Sequence, residues 1–283
     1  MGPAAAIALC AAAVLGWLLA GPIVAARRRR TAMARPLPAD AIAYIERNVP
    51  ACRRLPAALA ARHEGLVSAF LAEKEFVGCG GLVVTDEIRT TIAALASLLV
   101  LCRRGHYDAL HSVLVYPSAF WVEDEVEDEA GVVEKRRRDL SGEAWESSRI
   151  ILSWQDVLEA AHSPGEGYNV ALHEFAHYLE AEGLGLAPPP AVTQRRPGPA
   201  TPAGRARALD AWSADVIVEF EALRDAVDRD ADTFLDPYAA EDEAEFFAVA
   251  TEDFFERPSG LRAAHPRLYA LLQEFYGLDP AAW

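Results

Sequence analysis

Residues 169–179 read NVALHEFAHYL, and the rest of the sequence is best understood from this segment outward. We expect a helix from 164 to 182, with Ser163 as its cap, a proline in its first turn and a glycine after its end. On that helix His173 and His177 are four residues apart, which places both imidazoles on one face, one turn from each other. This spacing suits two neighbouring ligands of one tetrahedral metal ion.

Glu174 adds a carboxylate beside this pair. It is offset from His173 by about 100°, so it can reach a metal-bound water without binding the metal itself. Zinc polarises a scissile carbonyl and lowers the pKa of its water to about 7, and a carboxylate then takes the proton and passes it on. The flanking residues are apolar, so the helix is expected to be buried, where two imidazoles need a partner. The pattern therefore predicts a zinc site with Glu174 as general base, although these five residues alone are only moderately specific.

A catalytic zinc needs a third protein ligand and one open position. Metzincins supply a glycine and a third histidine at the positions that Glu180 and Gly183 occupy here, so that subclass is excluded. The predicted helix 241–256 offers four glutamates that share a face, and their spacing does not choose among them: Glu241, Glu245, Glu252 and Glu256. Glu180 also shares the histidine face. Its role is open between a metal ligand, a hydrogen-bond partner of an imidazole N–H and an ordinary surface charge.

Composition excludes several other classes of protein. The net charge of −15 argues against direct nucleic-acid binding, which needs a basic surface. About half of the 283 residues are apolar, which is enough for one substantial core. The cysteines are far apart and form no C-x-x-C pair, so they predict neither a disulfide framework nor a zinc finger: Cys10, Cys52, Cys79 and Cys102.

The N-terminal segment predicts a membrane anchor. Residues 4–26 contain no charge and are followed by four arginines, 27–30. A helix of that length spans a hydrocarbon core, and the positive-inside rule places its N-terminus outside and the rest of the chain in the cytoplasm. We therefore expect a single-pass protein of the inner (cytoplasmic) membrane, with a basic, proline-containing linker at 27–39 and a metallopeptidase domain at 40–283.

Within this domain the patterns predict an α+β fold, mostly helical, with a small sheet beside the motif helix. The expected helices are 40–47, 57–76, 86–104, 210–230, 241–256 and 262–276, of which the third is capped by Thr85. Strands are expected at 112–116 and 150–154, and 120–122 and 131–133 suggest a further sheet or hairpin. The acidic residues 123–129 are interpreted as a solvated loop, and the proline-rich residues 185–209 as a flexible surface loop.

Four ordered blocks resemble the Mlc titration factor A family of bacterial zinc-dependent peptidases. They are VLVYPSAF at 113–120, GEAWESSRIILSWQDV at 142–157, NVALHEFAHYL at 169–179 and YAAEDEAEFFAVATEDFF at 238–255, and the resemblance covers about residues 40–283. A narrower likeness is to the catalytic domain of anthrax lethal factor, through Tyr238 followed seven residues later by Glu245.

Both resemblances imply a gluzincin-like site. His173, His177 and Glu245 would bind one zinc ion per chain, Glu174 would be the general base, and Tyr238 would donate to the oxyanion of the tetrahedral intermediate.

The family likeness further implies aminopeptidase-like hydrolysis of small peptide substrates and, in some members, binding to a sugar-responsive transcriptional repressor. Two features depart from the family. Glu180 stands where an aspartate is usual, and the arginine-flanked leader is absent from cytosolic members, which suggests a membrane-tethered variant.

One alternative comes from a different class of protein, a non-catalytic regulatory module in which zinc only stabilises a protein-binding surface. Glu174 argues against it, because a structural zinc site needs no general base and normally closes with four protein ligands.

Overall fold

The computed structural model describes the residues 21, 23–103, 106–118, 121–127, 133–139, 148–181 and 202–283. The predicted anchor, 4–26, lies outside this part of the chain except for its last few positions. Within the described ranges, no helix is both long enough and apolar enough to cross a bilayer.

Helices dominate the fold. They are α1 (described part 23–33), α2 (Ala39–Asn48), α3 (Ala57–Glu73), α4 (Asp86–Leu99), α5 (Trp154–His162), α6 (Val170–Ala181), α7 (Pro202–Asp228), α8 (Glu243–Glu256), α9 (Pro258–Ala264) and α10 (Pro266–Tyr276). Short 3₁₀ turns occupy Pro50–Arg54, Pro237–Ala240 and Pro280–Ala282. Together with the small sheet described next, they confirm the predicted α+β class.

The central sheet has three parallel strands in the order β1-β2-β5, and a separate antiparallel pair joins β3 to β4. The strands are β1 (Glu75–Gly78), β2 (Ser112–Tyr116), β3 (Trp121–Glu127), β4 (Val133–Asp139) and β5 (Arg149–Ser153). Strand β5 leads directly into α5 and packs against α6, so the sheet lies beside the motif helix as predicted.

The acidic run is a strand rather than a loop at residues 123–127. The register of the β3–β4 pair places Glu123 opposite Arg137, Asp124 opposite Arg136 and Glu125 opposite Lys135. Residue types of opposite charge at facing positions favour strand pairing. The solvated-loop interpretation considered the acids alone and is wrong for these residues.

Helix α1 is docked on the domain through α3. Ser68 Oγ donates to the carbonyl oxygen of Ala32 at 2.9 Å, and the Arg29 guanidinium donates to both carboxylate oxygens of Glu73 at 2.8 and 3.0 Å. Residues 27–33 of the predicted linker are therefore helical, and Arg29 and Ala32 attach them to α3.

The start of the motif helix also differs from the prediction. Ser163 follows the end of α5, and the next residues form a turn in which Gly165 has a φ of +86°, where L side chains are strained. Helix α6 begins at Val170 instead. Its cap is the buried Asn169, whose Oδ1 accepts from the backbone N–H of Leu172 at 3.1 Å.

The C-terminal helices follow the predicted pattern with shifted ends. Helix α7 begins at Pro202, so residues 202–209 are helical rather than part of the predicted loop, whose other residues lie outside the described part. Proline is well tolerated in a first helical turn, and the alanines and arginines that follow are strong helix formers. The predicted helix 262–276 is interrupted before Pro266, because proline disfavours helical geometry in the residue before it.

Helix α4 forms the centre of the core. Ile92, Leu98 and Leu99 are fully buried, and Thr85 caps the helix as predicted by accepting from the backbone N–H of Ile88 at 3.3 Å. Around α4 lie α2, α3 and α6, and α6 in turn packs against α8. This packing holds the motif helix between the core and the glutamates of α8.

Candidate metal centre

His173, His177 and Glu245 converge between α6 and α8. The Nε2 atoms of the two imidazoles are 3.0 Å apart. The carboxylate of Glu245 approaches both rings, with Oε2 3.1 Å from His173 Nε2 and Oε1 3.4 Å from His177 Nε2. Among the residues that the structure describes, this is the only group of three or more His, Cys, Asp or Glu side chains arranged to hold a metal ion.

The geometry of this group fits a tetrahedral metal ion. Bonds of 2.0–2.1 Å to zinc place neighbouring ligand atoms about 3.3 Å apart, close to the three separations measured here. Glu245 Oε2 is also buried without a hydrogen bond, which is costly for a carboxylate oxygen unless a cation satisfies it. Two imidazoles and one carboxylate are a donor set typical of zinc.

Helix α8 positions Glu245 in its first turn. Asp242 caps this helix, and its Oδ1 accepts from the backbone N–H groups of Ala244 and Glu245, both at 2.9 Å. Glu241 lies before the helix, so it does not belong to the predicted helical stripe. Glu252 is two turns further along the same face as Glu245, because seven residues make almost two complete turns.

Glu252 orients His173 and does not point at the metal position. Its Oε1 accepts from His173 Nδ1 at 2.8 Å, while Oε2 accepts a hydrogen bond from the backbone N–H of Asn169. Asn169 in turn donates through Nδ2 to Glu256 Oε1 at 2.8 Å. A hydrogen bond at Nδ1 fixes the tautomer that leaves Nε2 available to a metal. From the sequence, Glu252 was one of four candidate metal ligands, and its role at His173 Nδ1 was not predicted. Its seven-residue spacing from Glu245 indicated only that the two side chains share a helix face.

The imidazoles and carboxylates of the site change each other's pKa values. Burial lowers the pKa of His173, but the neighbouring carboxylates of Glu245 and Glu252 outweigh burial and raise the pKa to about 10. Burial raises the pKa of Glu245, but the two imidazoles outweigh it and hold that pKa below its ordinary value. The imidazoles and carboxylates thus stabilise each other's charged forms.

Glu174 lies on the cleft side of α6 and is 8% exposed. It makes no hydrogen bond to another described residue. Burial, followed by the charges of Glu245 and Glu252, raises its pKa to about 8, although His173 opposes this shift. A carboxylate with a pKa near neutrality that faces a cleft is suited to exchange protons with a substrate or water.

Tyr238 reaches the site from the 3₁₀ turn before α8. Its backbone N–H donates to Asp236 Oδ1 at 2.9 Å, which fixes the turn, and its ring centre is 6.3 Å from that of His173. The side chain is 45% exposed, so it is not packed into the core. Burial, followed by the negative charge of Glu245, raises the pKa of Tyr238, so the phenol stays protonated and able to donate at neutral pH.

Glu180 remains outside this group. It is half-buried, and burial raises its pKa while the charge of His177 opposes the shift. It is not among the residues arranged to hold a metal, and it makes no hydrogen bond to an imidazole within the described residues.

An open cleft of about 940 Å³ runs past His173, Glu174 and Glu245. Residues 166–170 and α6 line one side, and residues 233–238 and α8 line the other. Besides Glu174, Glu245 and Glu252, the walls carry the carboxylates of Glu166, Asp236, Glu241 and Asp253. The cleft is large enough for a peptide segment, and its walls are predominantly acidic.

Comparisons with known proteins place the chain in a family. The family model described as glucose-regulated metallo-peptidase M90 matches residues 23–277. An uncharacterized protein of Synechocystis sp. is 32% identical over 255 residues, 89% of each chain. The Mlc titration factor A proteins of Pectobacterium atrosepticum and Serratia proteamaculans are 35% and 36% identical, over 77% and 75% of this chain and 78% and 77% of their own. The predicted resemblance is confirmed, and the chain belongs to the glucose-regulated metallo-peptidase M90 family.

Proposed function

We propose that the protein is a zinc-dependent peptidase of the gluzincin type, with aminopeptidase-like activity on small peptides. The observation that carries this proposal is the convergence of His173, His177 and Glu245, with a buried oxygen of Glu245 left without a hydrogen bond. These three residues would hold the ion, and Glu252 would fix the orientation and tautomer of the His173 imidazole. Membership of a metallopeptidase family supports the same reaction class.

The remaining residues have roles that follow from their positions. A bound zinc ion supplies a Lewis acid and a water of lowered pKa. Glu174 takes a proton from the attacking water and delivers it to the leaving amine. Tyr238 donates its phenolic hydrogen bond to the carbonyl oxygen of the attacked peptide bond, where negative charge develops in the transition state. Because this donation strengthens as charge develops, it stabilises the transition state more than the bound substrate.

Metal content and hydrolysis test this proposal together. The purified full-length chain should hold about one zinc per chain and cleave amino-acid anilides or short peptides. A chelator should abolish hydrolysis, because the zinc ion supplies the Lewis acid. Added zinc should restore hydrolysis, because the three protein ligands remain in place to bind it again. Zinc content is measured by atomic emission and hydrolysis by chromophore release. A chain that holds zinc and cleaves no substrate of the panel would instead support the non-catalytic regulatory module.

We also propose that the chain binds a sugar-responsive transcriptional repressor. The support is the name of its relatives, Mlc titration factor A, and their similarity over most of the chain. This function needs only a folded surface, so it should persist in a variant that has lost hydrolysis. The test is complex formation between the full-length chain and purified Mlc, followed by light scattering, and two separate species in the mixture would rule out this partner.

Residues 4–26 are proposed to anchor the protein in the inner membrane, with the catalytic domain in the cytoplasm. The support is the uncharged segment followed by arginines, together with the helical conformation of its described end, 23–26, which belongs to helix α1. The protein should remain in the membrane pellet after alkaline carbonate extraction. A chain that lacks residues 1–20 should move to the supernatant, and a full-length chain that is itself extracted would contradict the anchor.

A further inference from the structure

Tyr168 is a large aromatic residue that the proposed reaction does not use. It lines the same cleft as His173 and Glu174, and 52% of it is exposed. Aromatic side chains of this size bury much area when a ligand covers them, and exposed ones beside a reaction centre are typical contact points for substrates. Its surroundings indicate which kind of substrate group it suits.

The backbone on both sides of Tyr168 is held in place. Gly167 has a φ of +93°, and a Cβ at this residue would lie only 2.5–2.7 Å from the guanidinium of Arg257. Arg257 is itself fixed, because it donates to both carboxylate oxygens of Asp253 at 2.5 and 2.9 Å. On the other side, the backbone N–H of Asn169 donates to Glu252. A ring presented from a fixed backbone loses little further freedom when a ligand binds.

The charges around this ring are negative. Glu166, Glu174 and Glu252 line the cleft together with Tyr168. Burial raises the pKa of Tyr168, and nearby negative charges, of which Asp156 contributes most, raise it further. The only Arg or Lys among the described residues that line the cleft is Arg257, whose charge is already paired with Asp253.

Glu166 adds an exposed carboxylate to the same part of the cleft. It lies two residues before Tyr168 in the chain, is exposed, and lines the cleft with that ring. Its carboxylate makes no hydrogen bond or ion pair with another described residue. Its charge can therefore act on a ligand that covers the ring of Tyr168.

We propose that Tyr168, with the carboxylate of Glu166 in the same cleft, forms a subsite for a basic side chain of the peptide substrate. An arginine or lysine would place its cationic group over the ring, where the negative face of the aromatic system attracts it. The carboxylate of Glu166 would add Coulomb attraction. This inference rests on the proposed function, since it assigns the substrate class of that same cleft.

The experiment compares two series of peptides that differ only in containing arginine or citrulline at successive positions. Citrulline has nearly the same shape as arginine and carries no charge. At the position that meets Tyr168, the full-length protein should favour arginine by about 2- to 30-fold in kcat/KM, the range expected for one cation–π contact. The Tyr168→Leu variant should lose most of this ratio, whereas Tyr168→Phe should keep it because the ring remains.

Glu166→Gln removes the carboxylate and leaves the ring in place. It should lower the arginine preference in part, and more at low than at high salt, because exposed charges are screened. For each variant, the ratio to the citrulline series cancels any general change in activity. An equal loss for both series would mean that Tyr168 only supports the structure, and would overturn the subsite.

Equilibrium binding distinguishes failure of the subsite from failure of the proposed function. Fluorescence anisotropy of labelled arginine and citrulline peptides measures their affinity whether or not they are cleaved. A binding preference for arginine that Tyr168→Leu removes, without any hydrolysis, would support the subsite and refute the peptidase. Equal binding of the two series, or a preference unchanged in Tyr168→Leu, would refute the subsite even if both are cleaved.

Discussion

Replacing Glu174 with glutamine is expected to lower kcat/KM for peptide hydrolysis by about 10²- to 10⁴-fold, the usual contribution of a general base. Glutamine has the same shape but cannot take up a proton at neutral pH. The zinc content should stay at about one ion per chain, because Glu174 is not in the group that holds the metal. Hydrolysis of an amino-acid anilide and metal analysis of the same preparation measure both quantities.

A matched control for this variant is Glu180→Gln. Glu180 is a half-buried glutamate on the same helix, close enough to His177 for their charges to interact. Its substitution makes the same chemical change on the same helix without removing the proposed base, so kcat/KM should remain within a few-fold of the parent value. If Glu174→Gln retained as much activity as this control, another group would have to serve as the base.

Replacing Glu245 with alanine should remove zinc and hydrolysis together. It takes away the only carboxylate in the group and leaves two imidazoles, too few for a stable catalytic site. The affinity for zinc should fall by more than about 100-fold, the upper range for residues that only orient a ligand. Competition with a fluorescent chelator measures the affinity, and circular dichroism checks that the variant is folded.

Glu252→Gln tests whether Glu252 orients the imidazole of His173 or binds the metal itself. Because Glu252 touches His173 Nδ1 and the backbone of Asn169, its loss should weaken zinc binding by about 10- to 100-fold without abolishing it. The expected order of zinc affinity is therefore parent, then Glu252→Gln, then Glu245→Ala. The reverse order for the two variants would mean that Glu252 binds the metal and Glu245 does not.

The sequence predicts the shared face of the two histidines directly, whereas the arrangement of the glutamates around them depends on tertiary packing. The spacing of His173 and His177 determines their shared face in any helix, so this part needed no tertiary information. The choice of Glu245 over its neighbours came from the family resemblance, since periodicity alone left four glutamates open. The structure brings Glu245 to both imidazoles and turns Glu252 toward Nδ1 of His173, a difference set by the packing of two helices that are distant in sequence.

The errors have a common physical origin in local signals that tertiary contacts override. Ser163 and the following proline resemble a helix start. Gly165, however, has a positive φ, and the helix begins only after its cap Asn169. The acidic residues of β3 resemble a loop until the basic residues of β4 are placed opposite them. In both cases a partner from another segment takes part, because α8 holds Asn169 through Glu252 and Glu256, and β4 pairs with β3. A window of a few residues does not contain these partners.

The docking of helix α1 has a practical consequence for where the folded unit begins. Ala32 and Leu37 are buried, and Arg29 forms its ion pair with Glu73 within this region. A recombinant fragment that starts at residue 40 would strip this cover from α3 and leave an apolar surface exposed to solvent, which promotes aggregation. An expression boundary upstream of Arg29 keeps the cover in place, so a fragment that includes residues 29–39 preserves the packing seen in the folded chain.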